Sequence, residues 1–351
     1  MYDVAIEIIN KYQLFLLAND DSSKETWKRL EEKIDYLPVY YQYEFIQYQK
    51  QYFGEKSEEI IELSLIIRNG LESVGLWPML LIKANGHWAI GSAGTELLKP
   101  VFTESSRVAS VKARRKIYRI AISFLREICN AFQISSVIFS EVIFSGVDVW
   151  HRCLMEIGAK IERTTHLVMY NLLLSEDNAL KRMHRTTKQT VEKGRCYYDY
   201  RIITGEDDDV ELMMEKFRLF HIAVSGRETR SRDTWKRQIE GIRRNRDFAV
   251  FLFDKQTGAM DGAALFTVTK SCCYYSVAVY NRDKFDRPIG HVIQDVAIKK
   301  LRELGVRWYI VGDRFYPADL DDKKMLSISE YKEAFSTDIY LVLHLNLVMT
   351  D

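Results

Sequence analysis

Residues 287–314 read RPIGHVIQDVAIKKLRELGVRWYIVGDR. Val292, Ile293, Val296, Ala297, Leu301 and Leu304 recur at the spacing that lines one side of a helix, while Lys299, Lys300, Arg302 and Glu303 fall on the other side. Pro288 suits a first helical position, where no intrahelical amide bond is lost. Gly305 can take the left-handed conformation that closes a helix, and VRWYIV then enters a sheet. Arg287 to Gly290 therefore form the entrance to a helix, beside a strand at Cys273–Tyr280. Such an entrance exposes unpaired amides and the positive end of the helix dipole, so it can receive phosphate, pyrophosphate or a developing oxyanion. A tight turn permitted by Gly290 is the plainer alternative. Neither GxxxxGK[ST] nor GxGxxG is present.

Working outward, FAVFLFDKQTG, AMDGAALFTVTKS and CYYSVAVYNR are three strand-like runs joined by hairpin-type turns. SISEYKEAF reads as a last helix and IYLVLHLNLV as a last strand. Upstream, ALKRMHRTTKQTVEKG reads as one basic helix before the strand CYYDYRIIT. VELMMEKFRLFHIAV and SRDTWKRQIEGIRRN read as two further helices. In the first half, strands at Ile60–Ile67 and Leu76–Lys83 precede a helix between Ser110 and Gln133, with Ile117, Ala121, Phe124, Leu125 and Ile128 on its apolar stripe. SSVIFSEV, VDVWHRCLMEIGA and ERTTHLVMYNLL then give strand, helix, strand. The order strands, helix, strand, helix, strand thus occurs twice, which predicts an α/β (α+β) protein of two related domains with mixed sheets flanked by helices. The expected division is a helical, aromatic-rich segment at 1–55 packing on the first domain, a first domain at 56–174 and a second at 175–351.

The chain has 351 residues, 47% of them hydrophobic, enough for two substantial cores. Fifty Lys and Arg against 49 Asp and Glu leave a net charge of +1. With no basic tail, reading helix or zinc motif, a DNA partner is not expected, and any phosphate contact must come from local clusters. Five cysteines without regular spacing suit a reducing cytoplasm. No apolar run is long enough to span a bilayer, and the start carries neither a basic leader nor a small-residue cleavage site, so a cytoplasmic location is expected. His87, His151, His166 and His184 are scattered and no HExxH occurs, so no metal is expected.

Between about 168 and 348, the series ALKRMHRTTKQTVEKG, FAVFLFDKQTGAMDGAALFTV, CYYSVAVYN, GHVIQDVAIKKLRELGVRWYIVGD and SISEYKEAFSTDIYLV resembles the Fem-type (FemAB-like) acyltransferases, which consist of two domains of the Gcn5-related N-acetyltransferase fold. The first half resembles the paired domain in element order. This resemblance implies transfer of an acyl or aminoacyl group to an amine, with no tightly bound cofactor and with acyl-CoA or another acyl thioester as co-substrate. No long charged helical arm interrupts the chain, a departure that favours a small amine or nucleotide-sugar acceptor, such as an amino sugar for surface polysaccharide, over a tRNA-dependent reaction. Aminoacyl-tRNA as donor to a cell-wall or peptide amine, and a non-catalytic binding or assembly protein, remain as alternatives.

Acyl transfer needs a deprotonated amine, a polarised carbonyl and an exit for the leaving group. Glu141 and Asp313 stand at strand ends where a base could act, and His291 lies in the helix entrance as donor or proton relay. His221 falls on the apolar side of its helix and reads as packed, Asp261 as a turn residue, and Cys273 as a buried strand residue. Arg287 and Gly290, with Arg230, Arg232 and Lys236, are the expected holders of donor phosphates. Tyr275, Tyr280 and Arg314 are the expected acceptor contacts.

Overall fold

The computed structural model describes residues 1–92 and 94–349, so Ala93, Thr350 and Asp351, at the end of the expected 175–351 domain, lie outside it. Its residues form two compact units, Met1–Thr165 with Leu341–Asp351, and His166–Tyr340.

The first unit begins with the aromatic-rich segment, folded as α1 (Tyr2–Lys11), β1 (Phe15–Leu17), α2 (Asp21–Lys33) and α3 (Tyr43–Gly54). A capping box starts α2: Asp20 accepts from the Ser23 amide at 2.7 Å and the Ser23 hydroxyl accepts from the Asp20 amide at 3.1 Å. The strands β2 (Glu59–Glu62), β3 (Leu65–Asn69), β4 (Glu72–Trp77), β5 (Leu80–Ala84) and β6 (His87–Gly91) follow. The expected strand Ile60–Ile67 is two strands, because β2 pairs with β5 whereas β3 pairs with β4 through the Asn69–Glu72 turn. Two short strands, β7 (Glu96–Leu97) and β8 (Val101–Phe102), lead to α4 (Ser106–Ala109) and the long α5 (Val111–Phe132). The α5 stripe Ile117, Ala121, Phe124, Leu125 and Ile128 is buried against Trp77 and Trp150. Next come β9 (Ser136–Ile143), α6 (Val149–Glu156) and β10 (Lys160–Asn171).

In the second unit, α7 (Glu176–Arg182) and α8 (Thr187–Tyr197) precede β11 (Tyr198–Ile203). The basic run expected as one helix is therefore two. The chain leaves the helix at Met183, and the Thr187 hydroxyl instead donates to the Ala334 carbonyl at 3.0 Å. α9 (Val210–Ser225) and α10 (Arg232–Arg243) lead to the three predicted strands, β12 (Asp247–Asp254), β13 (Met260–Val268) and β14 (Cys272–Tyr280). α11 (Ile289–Glu303), β15 (Trp308–Arg314), α12 (Lys323–Glu333) and β16 (Asp338–Val348) complete the chain.

The strands of this unit lie in the order β11–β12–β13–β14–β15–β10, antiparallel except where β14 meets β15. Val292, Ile293, Val296, Ala297 and Leu301 of α11 are buried on one face with Val250, Phe266 and Tyr309, while Met213, Phe217 and Trp235 of α9 and α10 are buried on the other with Phe251, Leu265 and Val277. Each fully buried large aliphatic side chain of that stripe contributes about 1.5–3 kcal/mol.

Each half of the chain gives its last strand away. β10 follows β9 and α6, yet His166–Asn171 pair with Trp308–Arg314 of β15. β16 follows β15 and α12, yet Leu341–Val348 pair with Ser136–Ile143 of β9. This exchange puts the unit boundaries inside β10 and β16, whereas the sequence reading divides the chain between residues 174 and 175.

Candidate functional site

β14 and β15 run parallel for only three residue pairs, Cys272–Trp308 to Tyr274–Ile310. Beyond Tyr274, β14 keeps its antiparallel partner β13, and β15 keeps β10. The edge of β14 that faced β15 is then free to meet a ligand, since strand edges present a row of backbone donors and acceptors. A cavity of about 970 Å³ opens at this divergence. Its walls are Tyr275, Ala278, Val279 and Tyr280 of β14, Arg282 and residues 285–291 of the loop and helix start, His221, Val224 and Ser225 of α9, and Lys324, Ile328, Tyr331 and Lys332 of α12.

The entrance to α11 opens on the cavity without a side-chain cap. Pro288 is the N-cap of α11 rather than its first helical residue, and no side chain caps the helix. The Ile289 amide bonds the Arg287 carbonyl at 2.9 Å, while the Gly290 and His291 amides have no partner among the described residues. Those two donors and the helix dipole point towards the cavity end of α11. Lys193, Arg282 and Lys324 add cationic groups against one exposed carboxylate, Asp286. The field favours an anionic ligand.

Gly290 is also required for packing. A Cβ there would overlap the Tyr331 hydroxyl, with Tyr331 Cζ at 2.9 Å and Tyr280 Cε2 at 3.2 Å. The Tyr275 and Tyr280 hydroxyls bond each other, and Tyr309 donates to Gln294 Oε1 at 2.5 Å. Burial pushes the pKa values of Tyr275, Tyr280, Tyr309 and Tyr331 well above that of a free phenol, so all four are neutral hydrogen-bonding groups. Burial holds His291 below the usual histidine value, and its ring packs 5.3 Å from Tyr331 and 5.1 Å from Phe335.

Arg287 lines the cavity with part of its charge committed. It bonds Asp254 at 2.6 Å and lies 4.9 Å from the Tyr197 ring centre. Lys284 bonds Asp254 at 2.9 Å and Asp261 at 2.7 Å, and Asn281 donates to Asp261 at 2.9 Å. Asp261, expected in a turn, is thus a buried residue of β13 that fastens the loop to the sheet.

Five expected site residues in this unit lie off the cavity. Arg314 is held by Glu333, the Phe315 carbonyl and Ser329, with its guanidinium 4.4 Å from the Tyr316 ring centre. Asp313 is exposed at the end of β15 and draws on the Lys332 ammonium. Arg232 and Lys236 are on the solvent side of α10, where Lys236 pairs with Asp233 at 2.8 Å. Arg230 lies in the loop before α10 and acts on His221 electrostatically. The sequence run of positive charge placed these groups near one another but not on the cavity wall.

Glu141 belongs to the first unit. It is bonded to Lys99, whose ammonium also reaches Asp148 at 2.5 Å, and His151 Nδ1 lies 2.9 Å from Asp148. Burial pushes Glu141 up to about 7, against the attraction of Lys99. Glu141, Asp148 and His151 could together present three ligand atoms to a metal ion, but Lys99 already sets a cation between the two carboxylates. Cys273 is buried with its thiol pKa pushed well up, which disables it as a nucleophile.

Tyr331 and Lys332 were missed by the sequence reading, although Lys324, Ile328 and Tyr331 share the spacing of one helix face. Lys332 is packed over Gly312, whose φ of +137° and lack of a Cβ admit the lysine stem. Burial lowers its pKa, and Asp313 opposes that shift.

No protein-family model and no curated protein sequence matches the chain. Solved structures do match. FemX superposes with a TM-score of 0.63 at 10% identity, over 86% of this chain and 90% of FemX. The chain has the FemAB-like fold. A conserved protein of unknown function from Bacteroides thetaiotaomicron gives a TM-score of 0.57 at 10% identity, over 95% of this chain and all (100%) of that one. A domain described as the C-terminal part of a lysylphosphatidylglycerol synthetase from Agrobacterium fabrum gives 0.57 at 11%, over 93% of each chain. At such identities the likeness is one of fold, and it agrees with the tandem acetyltransferase-like architecture expected from the sequence.

Proposed function

We propose that the protein is an N-acyltransferase that moves an acyl group from an acyl thioester, such as acyl-CoA, to a small amine, with an amino sugar or nucleotide sugar as acceptor. The observation that carries this reading is the cavity where β14 and β15 part, bordered by the uncapped start of α11 and by Lys193, Arg282 and Lys324. A phosphate-bearing donor would place its phosphates at the Gly290 and His291 amides, steadied by Arg287. Its extended arm would run along the free edge of β14, where backbone amides can pair with it. That would bring the acyl carbonyl to Tyr275 and Tyr280, with Lys332 on the opposite wall to oppose the negative charge that develops on oxygen.

The amine attacks the thioester carbon, the C–N bond forms, the C–S bond breaks and the thiol departs, without a covalent enzyme intermediate. Five free cysteines, four of them buried, suit a reducing compartment such as the cytoplasm. The reading is tested with purified protein, acetyl-, butyryl- and octanoyl-CoA, and glucosamine, UDP-linked amino sugars and a lysyl peptide as amines. Amine-dependent thiol release with the matching product mass supports it. Absence of both turnover and acyl-CoA binding across the panel removes it. Nuclease-sensitive transfer of labelled amino acid from charged tRNA would reassign the donor.

A further inference from the structure

The cavity does not lie on one side of the sheet. Tyr275, Ala278 and Tyr280 pack with the α11 face, whereas Val279 packs with the α9 face, and the cavity touches all four. It therefore passes around the free edge of β14. The α11 side carries the helix amides and most of the cationic groups. The α9 side carries His221, Val224 and Ser225.

We propose that the acceptor amine enters on the α9 side and that His221 removes its proton as it attacks the donor carbonyl. This rests on the acyl-transfer reading above. Among the three α9 residues on the wall, Val224 has no acid–base chemistry and the Ser225 hydroxyl is committed to the Arg227 carbonyl at 2.6 Å. The His221 ring is half-buried, stands edge-on to Trp235 at 6.0 Å between centres, and has no hydrogen-bond partner among the described residues. A base must have a free lone pair within reach of the proton it takes, and an unpartnered imidazole on the wall provides one.

The charged groups around it favour the neutral ring. Arg230 acts on it from the loop that follows α9, α10 sets the uncharged Trp235 against it, and the wall beyond carries Lys193, Arg282, Lys324 and Lys332 against Asp286. Burial first, and Arg230 second, lower its pKa below the usual value of 6.5. In the step itself, the amine nitrogen bonds to the carbonyl carbon and its N–H proton passes to His221. The C–S bond breaks, the thiolate takes a proton from solvent, and His221 returns its own to solvent.

The test uses the full chain and the acyl-CoA and amine pair of the panel with the fastest thiol release. His221→Gln is expected to lower kcat by about 10²-fold or more, the usual range for general-base loss, with the KM for acyl-CoA unchanged. The wild-type kcat/KM should fall on the acid side, with a midpoint below the ordinary histidine value, as the ring protonates. That acidic limb should vanish in His221→Gln, persist in His291→Gln whatever its rate, and free imidazole should restore part of the lost rate. Retention of the limb or of full kcat in His221→Gln overturns the inference while leaving acyl transfer intact. Loss of acyl-CoA binding by that variant also overturns it, by making His221 a structural or donor-side group. If the wild type releases no thiol with any amine, both readings fall together.

Discussion

Gly290, on the cavity wall, shows how little of a residue's job is visible in its own sequence position. Its backbone is not in the left-handed region, so the turn does not demand glycine. The demand comes from Tyr331 and Tyr280, more distant in sequence, whose rings occupy the space of a Cβ. Gly290→Ala should therefore lower stability by about 1–3 kcal/mol, the usual cost of overpacking, measured by chemical unfolding. Adding Tyr331→Phe should recover part of that loss, because it removes the hydroxyl in the clash but not the ring carbon behind it. Independent, additive losses would show that the two side chains do not share the space. Glu141 gives a second residue-scale prediction, through pH. Its folded pKa, about 7, is above the ordinary value of 4.5, so the folded state binds the proton more tightly than the unfolded chain. The resulting contribution is fully present below about pH 4.5 and is lost as pH rises through about 7. Relative to Glu141→Gln, the wild-type melting temperature should fall across that window.

At the scale of elements, the 281–288 loop is the part of the site that the sequence described least well. Its helix and its flanking strands were readable, because α11 carries an unbroken stripe and β12, β13 and β14 are dense in β-branched and aromatic residues. The loop's fastening was not, since Asp254 and Asp261 reach it from neighbouring strands whose register no local pattern reveals. Asp254 receives Lys284, Arg287 and the Gln256 and Thr257 amides together. These partners hold its carboxyl pKa well below the usual range, Lys284 being the largest cause. Asp254→Asn should leave the sheet folded but free the loop, raising the acyl-CoA Kd about tenfold, the scale of one lost charged hydrogen bond. Asp261→Asn should act in the same direction. Titration of both variants with acyl-CoA checks this, and unchanged affinity would separate the loop from donor binding. The exchanged strands β10 and β16 were illegible for a related reason. Alternating apolar residues specify a strand and its buried face, but not which neighbour it pairs with.

For the whole molecule, the repeated element order invites the expectation of two equivalent donor sites, and the two units answer differently. In the first unit β7 and β9 also pair in parallel, at Glu96–Ile138 and Leu97–Phe139, and β9 then continues without β7. The space after that short pairing is taken by protein. Lys99 follows β7 and is bonded to Glu141 on β9 and to Asp148 at the start of α6, while its carbonyl accepts from the Tyr41 hydroxyl at 2.7 Å. In the second unit the corresponding position is the cavity between β14 and β15. One acyl thioester should therefore bind per chain, in the second unit, and isothermal titration should give a stoichiometry of one. Lys99→Ala leaves Glu141 and Asp148 facing each other without their cation. Removing one partner of a buried ion pair costs about 3–5 kcal/mol, somewhat less here because Lys99 keeps 30% of its side chain exposed. The variant should thus be clearly less stable while its stoichiometry and acyl-CoA Kd match the wild type. A stoichiometry of two in the wild type, falling to one in Lys99→Ala, would instead give the first unit a donor site of its own.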